Sequence, residues 1–90
     1  MIKILIADDE KDIRDIVTWY LSREGFQVFA AEDGHAAMDI EISHSPDLLI
    51  LDVMMPGLSG WEIAKTLQRN VPIIFLTALG EENDKINGFN

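Results

Sequence analysis

Short apolar runs of strand length alternate along this chain with segments whose apolar residues recur at helical spacing. That alternation restricts the fold to an α/β domain built on a parallel sheet. Strands are expected over 2–7, 26–31, 47–52 and 72–77. Between the first two, Ile13, Ile16, Val17, Tyr20 and Leu21 share one helical face, with Asp9 expected as the N-cap and Gly25 as the stop. A second helix is expected from Asp33 to about His44, with Ala36, Ala37 and Ile40 on one face and Ser45-Pro46 ending it. A turn-rich stretch from Met55 to Gly60 precedes a third helix that buries Ile63, Ala64 and Leu67, and Pro72 opens the fourth strand. Glu81 to Asn90 read as the first turns of another helix, Ile86 and Phe89 one turn apart, so the chain is expected to be a domain cut before a further strand.

Chemistry concentrates at the ends of the apolar runs. Asp8 and Asp9 close the first and Asp52 closes the third. In a parallel sheet these ends lie at one edge, and three carboxylates gathered there call for a cation. Taken singly, each has an ordinary reading: a carboxylate after a strand serves as a helix N-cap or turn residue about as often as a ligand, and a threonine in the position of Thr77 is more often a cap. The three-way constellation favours a site. His35 and His44 are expected on the solvent side of a helix, and Trp19, Trp61, Met54 and Met55 as core-edge or loop packing, Met55 and Trp61 near the site. The acidic run Asp8, Asp9, Glu10, Asp12 also suits the positive end of the first helix.

The bounds are those of one small domain: a chain of 90 residues buries roughly 60 to 65% of the surface it exposes when unfolded. Seven basic against sixteen acidic residues give a net charge of -9, which opposes contact with a phosphate backbone, so no direct nucleic-acid binding is expected. There is no cysteine, hence no disulfide or thiolate metal site. The opening Met1-Ile2-Lys3-Ile4 lacks the pattern of a signal peptide, and no apolar run approaches membrane-spanning length; a cytoplasmic protein is expected.

In order, Asp8-Asp9, then Asp52 followed by Val53-Met54-Met55-Pro56-Gly57 and Gly60, then Thr77-Ala78, resemble the response-regulator receiver domain of bacterial two-component signalling. The resemblance covers essentially all of residues 1–90, as the N-terminal three quarters of such a domain. It implies a flavodoxin-like, doubly wound parallel sheet, here incomplete with strand order 2-1-3-4 and without strand five and helix five, and a site outside the carboxyl ends of the strands. It further implies that Asp52 is the phosphoacceptor. Asp9, Asp52 and the Met54 backbone carbonyl would hold Mg²⁺, with Asp8 holding metal-bound water. Thr77 would be the switch residue, bonding the phosphoryl group through its hydroxyl, and Ala78 would leave room for that group and donate its backbone N–H. Two such carboxylates about 4 Å apart repel by roughly 4 kcal/mol at an effective dielectric near 20, so bound Mg²⁺ should stabilise the fold. The implied partners are a sensor histidine kinase and an output domain outside this chain. The domain would be no turnover enzyme, but an acceptor that assists its own phosphorylation and dephosphorylation.

The family's strand-five lysine and aromatic residue fall beyond Asn90. Lys11 and Lys85 are the nearest substitutes, neither at a strand end facing Asp52. Two other readings stand beside the phosphoacceptor: a phosphorylation-incompetent structural or self-associating fragment, and a metal-dependent phosphatase, whose usual Asp-x-Asp signature is missing at Asp8 and Asp52. Without a fifth strand the apolar run 71–76 would be an open sheet edge, through which the chain is expected to form homo-oligomers.

Overall fold

The computed structural model describes residues 1–76. Its elements run β1 (Lys3–Ala7), α1 (Lys11–Arg23), β2 (Gln27–Ala31), α2 (Gly34–His44), β3 (Leu48–Asp52), α3 (Gly60–Thr66) and β4 (Ile73–Leu76). All strand pairs are parallel and the sheet order is β2-β1-β3-β4, the flavodoxin-like order expected from the sequence. Thr77, Ala78, Lys85 and the helix expected over 81–90 lie outside the described residues.

Alternation along the central strands sorts side chains onto two faces. Leu5, Ala7, Ala31, Leu49 and Leu51 form one cluster with Ala37 of α2, Ile63 of α3 and Met55. Ile4, Ile6 and Ile50 form a smaller cluster on the opposite face, against Val17 and Leu21 of α1. Both flanks of β1 and β3 are therefore covered, which is why these strands read as continuous apolar runs rather than alternating ones.

The helix ends have identifiable causes. At the C-terminus of α1, Gly25 adopts φ 93°, its N–H donates to the Ser22 carbonyl and that of Phe26 to the Leu21 carbonyl, a Schellman arrangement that satisfies the last turn. The Asp33 carboxylate accepts the Ala36 N–H at 2.8 Å and opens α2. Ser59 and Glu62 open α3 with a reciprocal capping box. A cross-link ties α2 to the α3–β4 connection: the Arg69 guanidinium makes a bidentate pair with the buried Glu41 carboxylate at 2.6 and 2.7 Å and also donates to the Pro46 carbonyl.

Two expectations about α1 are corrected. Asp9 is not its N-cap: Glu10 occupies that position without a side-chain cap bond, and the Asp8 carboxylate accepts the Glu10 N–H instead, at 2.9 Å. Nor is the apolar face buried as a whole. Ile16 and Tyr20 are 55% and 59% exposed, and α1 contains no fully buried residue. Helical spacing shows which residues share a face, but of the apolar residues of α1 it is Val17 and Leu21 that pack on the sheet cluster, while Ile16 and Tyr20 are left exposed. Trp19 is likewise exposed, edge-on to Tyr20 with the Arg23 guanidinium over its ring.

Candidate functional site

The strand register assembles the site. Ala7 pairs with Leu51, so one step further along β1 and β3 brings Asp8 level with Asp52, on adjacent strands about 4.8 Å apart. Asp8 and Asp52 are buried, while Asp9, one residue on, is exposed. One carboxylate oxygen from each of Asp8, Asp9 and Asp52 lies within 4.8 Å of the other two. The three acids picked out from the ends of separate apolar runs are thus one cluster.

Its electrostatics follow from that placement. Burial pushes the Asp52 carboxyl up to about 6, the neighbouring Asp8 and Asp9 carboxylates add to the rise, and a hydrogen bond from the Met54 N–H at 3.1 Å opposes it. Net negative charge in a partly dehydrated cleft, offered by hard oxygen donors only, matches what a small divalent cation such as Mg²⁺ requires. The donor set therefore fits the cation that the sequence implies. The Met54 carbonyl accepts no hydrogen bond among the described residues, which leaves it available as a further oxygen donor.

The loop after β3 is held tightly to the site. Gly57 has φ 81°, a left-handed conformation that glycine adopts without penalty. Gly60 does not need such freedom. It is required by proximity: a Cβ there would stand 2.5 Å from the Asp52 carbonyl oxygen, and its N–H donates to the Val53 carbonyl at 3.1 Å. Met55 is buried under the loop, Met54 is exposed, and the Trp61 ring packs on Phe75 at 4.3 Å between centroids. His35 reaches the same loop, its imidazole next to Gly57, and His44 stacks on Phe29. Both histidines are exposed, as expected.

Lys11 is taken up elsewhere, paired with Asp15 at 2.6 Å one turn along α1. The cation that the sequence reading overlooked is Arg14, whose Nη1 donates to the Asp8 carbonyl oxygen at 2.8 Å. Its only sequence signal is its place in the second turn of the helix that follows the acidic pair.

A parallel sheet in this order with an acidic cluster at the carboxyl ends of β1 and β3 defines the flavodoxin-like class of ligand-binding domains. A family model for the response regulator receiver domain matches residues 4–90, and the chain belongs to that family. Among similar solved structures is the response regulator TrrA from Thermotoga maritima in complex with Mg²⁺-BeF, 36% identical with a TM-score of 0.82 over 99% of this chain and 80% of that one. The Francisella response regulator 1452 receiver domain is 33% identical, TM-score 0.81, covering 99% and 76%. Chemotaxis response regulator CheY4 of Vibrio cholerae is 32% identical, TM-score 0.81, covering 99% and 78%. No helix among the described residues is long and apolar enough to cross a membrane.

Proposed function

We propose that this chain is a phosphoacceptor, modified on Asp52 by the phosphohistidine of a sensor kinase or by a small acyl phosphate, and that it passes the signal to an output domain elsewhere in its parent protein, one that controls transcription. The observation that carries the reading is the buried Asp52 carboxylate at the end of β3, sharing one cleft with Asp8 and Asp9. Raised to about 6, the carboxyl is largely ionised at pH 7 yet more basic than an ordinary aspartate, which suits a nucleophile. Its oxygen forms a bond to phosphorus as the donor's bond breaks. Acetate leaves with the electron pair when the donor is acetyl phosphate; imidazole leaves and takes up a proton when it is phosphohistidine.

Held by Asp8, Asp9, Asp52 and the Met54 carbonyl, Mg²⁺ would supply the charge neutralisation that phosphoryl transfer to an anion needs, and the Mg²⁺-BeF complex of the Thermotoga relative supports that assignment. Asp8 orients the turn through the Glu10 N–H. Thr77 and Ala78 are assigned to the phosphoryl oxygens, Thr77 as the switch. Family membership and the assembled carboxylates favour this reading over an incompetent fragment or an aspartyl phosphatase. The exposed Ile74 on β4, the last strand of the sheet among the described residues, supports self-association as a further part of the proposal; a single monomeric species in sedimentation at tens of micromolar would remove it.

An acyl phosphate, unlike a phosphoester, is cleaved by neutral hydroxylamine. After incubation with acetyl phosphate and Mg²⁺, incorporated phosphate should be released by that reagent and leave a hydroxamate on Asp52. Incorporation that resists hydroxylamine contradicts the assignment.

A further inference from the structure

We propose that Arg14 is a positioning residue for this carboxylate site, its guanidinium holding the peptide unit that aims Asp9; the inference rests on the phosphoacceptor reading. Asp9 is the exposed member of the cluster, and its side chain makes no hydrogen bond to any described residue. Its direction is therefore set by the two peptide planes that flank its Cα. The plane after it is held by the Glu10 N–H, which donates to Asp8 Oδ1 at 2.9 Å. The plane before it is held by its carbonyl, the Asp8 oxygen, which accepts from Arg14 Nη1 at 2.8 Å. The start of that turn is fixed by the Asp8 N–H donating to the Ala31 carbonyl at 3.1 Å. Strand and turn supply two of these three anchors; Arg14 supplies the third from the start of α1.

Arg14 is suited to the task. It is half-buried, and its own N–H donates to the Glu10 carbonyl at 3.1 Å, so the side chain springs from a fixed turn of α1. It bonds a carbonyl and takes up no oxygen of the three carboxylates; a side-chain cation that paired directly with Asp9 would compete for the site. Lys11, closer in sequence, is committed to Asp15.

The test compares the full chain with Arg14→Met, which keeps the apolar stem without the donors, and Arg14→Lys, which restores one. Mg²⁺ affinity by calorimetry and exchange of the Glu10 amide in metal-free protein are read together. Arg14→Met should weaken Mg²⁺ binding about tenfold, the scale of lost outer-shell support, and speed Glu10 exchange, and Arg14→Lys should recover part of both. Arg69→Met, which breaks a pair remote from the cluster, should leave the affinity of folded protein unchanged. Unchanged Glu10 exchange in Arg14→Met, or an affinity loss equal to that of Arg69→Met, overturns the proposal. Should Arg14→Met not fold, Arg14→Gln, too short to span to Asp8, is read the same way. A wild-type chain that binds no Mg²⁺ counts against the phosphoacceptor reading, and Glu10 exchange alone then decides the role of Arg14.

Discussion

Asp52 carries opposing demands. A carboxylate buried beside two others disfavours the metal-free fold whenever it is ionised, and its rise from an ordinary value to about 6 measures that cost. The folded-state value lies above the unfolded one, so the penalty is absent below pH 4, grows between about 4 and 6, and is complete above. Asp52→Asn should therefore stabilise the metal-free chain at pH 7 by about 1–2 kcal/mol, a figure reduced for solvent screening, and by almost nothing at pH 4. Chemical denaturation at the two pH values checks this; equal effects at both would show that Asp52 titrates normally. The three acids could be found in the sequence because each ends an apolar run, and strand ends in a parallel sheet converge. Arg14 could not, because a side chain that bonds a carbonyl leaves no pattern in residue type.

At the scale of elements, the β3–α3 connection is built on close approach. Gly60→Ala would set a methyl group 2.5 Å from the Asp52 carbonyl oxygen, and since the atoms it meets in Asp52 and Val53 are backbone, the loop or the strand end must move. A loss of about 2 kcal/mol or more is expected, together with slower phosphorylation, measured by denaturation and by phosphate incorporation; wild-type values for both would mean the loop yields freely. Away from the site, Arg69→Met would strand the buried Glu41 carboxylate. Because Arg69 is partly exposed, the cost should be about 2 kcal/mol, below the roughly 3–5 kcal/mol of breaking a fully buried pair, and Glu41→Gln in the same background should recover part of it. Neither feature was legible in advance. Glycine in a turn-rich stretch suggests freedom of φ as readily as close contact, and Glu41 and Arg69 are 28 residues apart on segments that only the tertiary fold brings together. The Ser59-x-x-Glu62 capping box, by contrast, is a pattern of residue types that the sequence carries openly.

For the whole molecule, the parallel sheet, its two covered faces and the gathering of strand ends at one edge follow from the alternation of apolar runs, whereas the strand order was legible only through the resemblance to receiver domains. The exposed flank of α1 follows from neither, because periodicity identifies a face without saying what lies against it. A domain that gathers like charges before any cation arrives should be stabilised by one: Mg²⁺ at a hundredfold excess over its Kd should add about 2.7 kcal/mol to unfolding, and chelation should remove it. A thermal midpoint indifferent to Mg²⁺ would count against the cation site. The most direct test of the central claim is the intact mass of the chain and of Asp52→Asn after acetyl phosphate and Mg²⁺. A single added phosphoryl mass is expected on the wild-type chain and none on Asp52→Asn; no gain on the wild type, or the same gain on both, would contradict phosphorylation at Asp52.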